Sequence, residues 1–139
     1  MPLNFDVLKS AVDALARAVD IAENEIDNGS DDLKDVVRSG VIQNFEVAYE
    51  QSWKMIQRWI KENKTPAEAD NPRTRKDLFR SAAKFGLIND PSAWFAYGES
   101  RNETTHTYDR SKAASVYSVA KAFVADARVL VNQLEQMND

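Results

Sequence analysis

The chain has 139 residues, 43% hydrophobic and 29% charged, with a formal net charge of −4, one histidine and no cysteine. This length suits a single domain, 1–139, with one core, and no apolar run approaches the roughly 20 residues a membrane span needs. Lack of cysteine excludes disulfides, thiol nucleophiles and Cys-rich zinc sites, a lone histidine makes a structural metal site unexpected, and no cofactor is expected.

The start Met1-Pro2-Leu3-Asn4-Phe5 lacks the basic and apolar regions of a signal peptide, so a cytoplasmic location is expected. Phe5, Leu8, Val12, Leu15, Val19, Ala22 and Ile26 alternate spacings of three and four. They predict a helix from about Leu3 to Asn28 with one apolar stripe. Asn28-Gly29-Ser30 stops it, and Asp31 or Asp32 can cap a second helix running to about Asn63. That helix carries two adjacent stripes: Val41, Ala48, Met55 and Trp59 in one, and Ile42, Phe45, Tyr49, Ile56 and Ile60 in the other, with Trp53 beside it. Such a wide face predicts a central position in a bundle, or a helix shared between core and subunit interface.

Pro66 and Pro72 mark a turn. A short helix follows from Arg73 to Phe85, with Leu78, Phe79, Ala82 and Phe85 inward and Gly86 as its terminator. Asn89-Asp90-Pro91 starts another, through Trp94, Phe95 and Tyr97 to about Glu103. The last begins near Asp109 or Ser111 and repeats a heptad of Ala113, Val116, Ala120, Phe123, Ala127, Leu130, Leu134 and Met137. Nothing reads as a strand, and no phosphate loop or dinucleotide fingerprint occurs. The prediction is an all-α, antiparallel up-and-down bundle of about five helices.

Charge is uneven along this scaffold. Residues 1–72 carry eight Lys/Arg against fourteen Asp/Glu, residues 73–112 eight against five, and residues 113–139 two against three. Overall acidity argues against a protein that coats nucleic acid by bulk electrostatics, so a polyanion contact should be local to the middle segment. Arg73, Arg75, Lys76, Arg80 and Arg110 are its candidate phosphate-binding residues; an unoccupied solvated surface is the alternative.

Within that segment lies Arg101-Asn102-Glu103-Thr104-Thr105-His106-Thr107-Tyr108, which holds the only histidine. Five positions of regular helix rotate by about 500°, which points Arg101 and His106 in different directions. For both to address one ligand the helix must end or loosen between them, and the threonines favour such a break. A guanidinium binds phosphate oxygens and stabilises added transition-state charge, while histidine moves protons at physiological pH, so the pair suits phosphodiester cleavage. On spacing alone, a lone histidine near a helix end is more often a hydrogen-bonded cap than a catalyst, and Tyr108 by itself reads as a core or interface residue.

Arg101, Asn102, His106, Tyr108 and Asp109, as Arg-Asn-x-x-x-His-x-Tyr-Asp, resemble the signature of HEPN domains, specifically of the nucleotidyltransferase substrate-binding proteins. The segment Gln43-Asn44-Phe45-Glu46-Val47-Ala48-Tyr49-Glu50-Gln51-Ser52-Trp53-Lys54 resembles the second helix of the same group. The resemblance implies a helical-bundle homodimer partnered by a separate minimal nucleotidyltransferase encoded nearby. It offers two functions. One is a metal-independent endoribonuclease toxin, with Arg101 and His106 as catalytic pair, Asn102 and Asp109 supporting, and Tyr108 as the site where the partner attaches AMP. The other is a non-catalytic subunit that binds substrate or nucleotide for the transferase, by analogy with the helical domain of kanamycin nucleotidyltransferase. A purely structural adaptor is the weakest expectation.

Overall fold

A computed structural model of the chain describes residues 3–25, 29–65, 67 and 74–138. Among these residues lie α1 (Asp6–Glu25), α2 (Asp31–Asn63), α3 (Arg75–Lys84), α4 (Pro91–Glu103), one 3-10 turn (Thr104–His106) and α5 (Arg110–Gln136). No strand occurs among them. No described helix is long and apolar enough to cross a membrane.

The start of α1 is set by side chains rather than by the apolar stripe. Asn4 accepts the Asp6 N–H at 2.8 Å, and the Asn138 side chain pairs with the Leu3 N–H and carbonyl, each at 2.9 Å. Leu3 is thereby held outside the helix, which begins three residues later than the pattern predicts, and the two ends of the chain are tied together. The stripe itself is buried at Phe5, Leu8, Val12, Leu15 and Ala22, with Val19 half-buried. Ile26 and Asn28, which the sequence placed near the helix end, lie outside the described residues, as do Pro66, Pro72 and Arg73.

The cap of α2 is Ser30, whose hydroxyl accepts the Leu33 N–H at 3.2 Å. Asp31 and Asp32, expected as caps, instead fill the first turn, where their charge meets the positive end of the helix dipole. At 33 residues this helix is about 50 Å long and touches all four others. Its two apolar stripes are buried within the chain itself, except for half-buried Trp53. Of the two roles open to the wide face, the central one therefore accounts for it.

Helices α1, α2 and α5 pack on one another, and the short pair α3–α4 closes the antiparallel bundle against α2, with α4 also reaching α5. Local signals place that pair. Thr74 caps α3 by accepting the Asp77 N–H at 3.1 Å. After α3, Gly86 takes φ +84°, a conformation open to glycine, so that Leu87 N–H reaches Ala82 O at 2.9 Å and Gly86 N–H reaches Ala83 O at 3.1 Å. Asp90 accepts the Ser92 N–H at 2.9 Å, and Pro91 occupies the first position of α4.

Aromatic packing then fixes where α4 sits. Phe123 of α5 meets the rings of Phe45, Trp94 and Tyr97 edge-on at 5.3, 5.3 and 5.0 Å. Gly98 lets α4 come close to α2, since a Cβ there would lie 2.8 Å from the Tyr49 hydroxyl. The end of α4 is thus carried on a buried aromatic junction.

Candidate functional site

The α-helix gives way between Arg101 and His106. Glu103 is the last residue of α4, and the chain tightens into the 3-10 turn from Thr104 to His106. Thr104 is buried and its hydroxyl works in both directions, donating to Arg101 O at 2.8 Å and accepting from Arg101 Nη1 at 3.0 Å. A threonine that bonds back to the carbonyl three residues earlier competes with the regular ladder and ends the helix. Thr107 repeats the device, donating to Thr104 O at 3.2 Å. The break predicted from the threonines is therefore present, and Thr104 is its mechanism.

Arg101 is held firmly. Its side chain is 29% exposed, with Nη1 lying 3.7 Å from Glu46 Oε2 and Nε 3.3 Å from Glu50 Oε1. The Nε hydrogen is not aligned to donate, so the Glu50 contact is electrostatic rather than a hydrogen bond. Glu46 and Glu50 stand four apart on α2 and face α4 together. With Thr104 they hold the guanidinium through Nε and Nη1, and no hydrogen bond or ion pair to the other terminal nitrogen occurs among the described residues.

His106 and Tyr108 are placed differently. Both are exposed, Tyr108 at 86%, and their rings meet edge-on at 6.4 Å. Among the described residues, no hydrogen bond or ion pair joins His106 to Arg101. Asp109 accepts the Ser111 N–H at 2.8 Å and the Lys112 N–H at 3.4 Å, capping α5 and fixing where the loop ends. Asn102 is exposed on α4 and lines a cavity of about 150 Å³ with Tyr49, Arg75, Lys76 and Phe95.

The candidate basic residues divide into two kinds. Arg110 pairs with Asp35 through Nε at 3.1 Å and Nη2 at 2.8 Å, and this hydrogen-bonded carboxylate raises its pKa further. Arg80 pairs with Asp77 at 3.0 Å. Arg75 and Lys76 have no carboxylate partner among the described residues; Arg75 lies instead over the Trp53 ring at 4.1 Å. Among the described candidate residues, Arg75 and Lys76 are thus the cations without a carboxylate partner. Among the described residues no cluster of His, Cys, Asp or Glu could hold a metal ion.

Sequence reasoning passed over Thr104, Glu46 and Glu50 as partners of Arg101. The i, i+4 spacing of the two glutamates was visible, but which face of α2 meets α4 depends on the aromatic junction.

A family model for proteins described as nucleotidyltransferase substrate binding protein like matches residues 3–136. The chain is 38% identical over 138 residues to a Haemophilus influenzae protein called "Probable ribonuclease HepT", covering 98% of this chain and 94% of that one. A solved structure from Haemophilus influenzae, said to reveal the fold of a substrate binding domain of a nucleotidyltransferase, superposes with a TM-score of 0.88. It is 36% identical, with 96% of this chain and 100% of that chain covered. A crystal structure from Thermus thermophilus shares the fold at a TM-score of 0.73 and 22% identity, covering 91% of this chain and 98% of that one.

Proposed function

The chain belongs to the nucleotidyltransferase substrate binding protein-like family, and on that premise we propose that it is the HEPN-type ribonuclease of a two-gene toxin–antitoxin pair. Its partner is a minimal nucleotidyltransferase that silences it by transferring AMP to Tyr108. The observation that carries this reading is the break at Thr104, which leaves Arg101 fixed on α4 and His106 exposed on the turn beyond it.

The chemistry follows from those positions. The imidazole of His106 takes the proton of a ribose 2′-hydroxyl, and that oxygen attacks the adjacent phosphorus. Arg101 balances the charge on the non-bridging oxygens. The bond to the 5′-oxygen breaks, the proton ends on that oxygen, and a 2′,3′-cyclic phosphate remains. Because no hydrogen bond or ion pair joins His106 to Arg101 among the described residues, the site is completed either by RNA bridging them or by a second copy. The homodimer reading no longer rests on the wide face of α2, which the core consumes. It rests on Leu33, Val36 and Val47, which share one line along α2 and are 42%, 69% and 49% exposed. The Arg110–Asp35 pair sets the Tyr108 turn beside that half of α2, so a copy docked there brings two turns together.

Tyr108 is fully presented to a modifying enzyme. Adding a nucleotide beside a phosphate-binding cleft introduces bulk and negative charge where RNA phosphate must sit.

The test is cleavage of single-stranded RNA by the purified protein in a chelator, with analysis of the ends formed. Cyclic phosphate ends that vanish in both Arg101→Ala and His106→Ala support the reading; growth arrest that persists in both variants sinks it. A second reading keeps the cleft but not the catalysis: a subunit that binds substrate for the transferase. The cradle of Glu46 and Glu50 around Arg101 favours it, since carboxylates compete with phosphate for the guanidinium. It predicts no RNA cleavage under any condition, with transferase activity that depends on adding this chain.

A further inference from the structure

One cavity stands apart from the Arg101–His106 turn. It lies between α2, α3 and α4, holds about 150 Å³, and is floored by Tyr49, Phe79 and Trp94. Phe95 forms a half-buried wall, and Arg75 and Lys76 stand at the rim. Asn102 and Glu99 complete it on α4, so the residue next to Arg101 in the chain belongs to this cavity.

Four properties together describe a ligand. Sites for drug-sized ligands measure roughly 300–1,000 Å³, so this one takes a single flat ring rather than a larger body. Tyr49, Phe79 and Trp94 close its floor and are themselves buried, so half-buried Phe95 is the ring that offers a surface, and bases stack on aromatic rings with little regard to sequence. Its rim cations lack carboxylate partners among the described residues, and Arg75 is immobilised over Trp53, with 4.1 Å from Cζ to the ring centroid. Asn102 and Glu99, both exposed, supply hydrogen-bonding groups, and the Tyr49 hydroxyl beneath them helps to fix Arg75. The Tyr49 hydroxyl accepts from Arg75 Nη1 at 3.4 Å and has no acceptor among the described residues for its own proton. Burial raises its pKa, which keeps that proton in place. The cavity also depends on Gly98, where any Cβ would press on this hydroxyl.

We propose that this cavity is a nucleobase subsite that takes one unstacked base of a single-stranded RNA, with Arg75 and Lys76 holding the phosphate attached to it. Glu99 accepts from an exocyclic amino group and Asn102 reads the neighbouring ring edge, so adenine, cytosine and guanine enter ahead of uracil. This rests on the ribonuclease reading only in setting the bound base next to the scissile phosphate at Arg101. Occupancy of the cavity is measured apart from cleavage.

The experiment is calorimetric titration of the full chain with the four ribonucleoside 5′-monophosphates and with single-stranded tetranucleotides blocked by 2′-deoxyribose against cleavage. The tetranucleotides should bind, more tightly than any monophosphate, and Phe95→Ala should weaken them about tenfold through loss of stacking. Glu99→Gln, at an exposed position, should narrow the preference over uracil without loss of fold. His106→Ala should lose cleavage while keeping the preference over uracil. The inference is overturned if the unaltered protein binds no probe, if Phe95→Ala and Glu99→Gln both leave binding and preference unchanged, or if monophosphates bind as tightly as the tetranucleotides. Binding that follows these variants in a protein that cleaves nothing overturns the ribonuclease reading and leaves the subsite standing.

Discussion

Arg101 and Tyr108 are seven residues apart and live in opposite environments. Arg101 is gripped by Thr104, Glu46 and Glu50 at the end of a helix seated on a buried aromatic junction. Tyr108 stands 86% exposed on the loop between that grip and the Asp109 cap of α5. The difference teaches what each can do under the proposed function: Arg101 is built into the frame, as a group that holds phosphate has to be, while Tyr108 is held out in solvent, as a group that a partner enzyme modifies has to be. His106 lies between them on the exposed side.

Breaking the frame should have the largest effect. Phe123→Ala removes the ring on which Phe45, Trp94 and Tyr97 converge, and a buried phenylalanine lost to alanine costs about 3–5 kcal/mol. Chemical denaturation should show this loss, with cleavage falling as α4 loosens. Thr104→Val keeps the shape and deletes only the hydroxyl that ties Arg101. A cost of about 1–2 kcal/mol is expected, with a several-fold fall in cleavage, and wild-type activity in this variant would show that the grip is not needed.

The two regions should also part company at high pH. Burial raises the pKa of Tyr49, Tyr97 and Tyr117 in the frame; the Asp126 carboxylate adds to the effect at Tyr97, and Glu23 helps bring Tyr117 to about 12. These groups stay neutral when folded but ionise in the unfolded chain at about pH 10. Stability they contribute is therefore complete below that pH and is lost as pH rises through their folded values. Denaturation midpoints that stay level from pH 9 to pH 11 would contradict this, and Tyr97→Phe should make the decline shallower. The smallest effect belongs to the free side. Tyr108→Phe should leave stability within about 0.5 kcal/mol and cleavage unchanged, and should end AMP addition when the protein is co-expressed with its partner, as mass spectrometry would read.

Helix starts and stops were the most legible features of the chain. Asp90-Pro91 and Gly86 act locally through one or two hydrogen bonds, and both work where the pattern placed them. The start of α1 was less legible, because Asn138 reaches Leu3 from the opposite end of the chain. Arg110 and Arg80 looked like free cations until their acidic neighbours came into view, Asp35 from 75 residues away and Asp77 from the preceding turn.

The all-α class, the apolar stripes and the break between Arg101 and His106 are properties of near neighbours in the chain, since helical periodicity, caps and threonine back-bonding act within about four residues. That made them readable from the order of amino acids alone. The acidic cradle of Arg101, the neutralised Arg110 and the aromatic cavity beside Asn102 each join α4 or α5 to a distant part of α2. Only the packing around Phe123, with Gly98 admitting α4 to within reach of Tyr49, decided which of those side chains would meet.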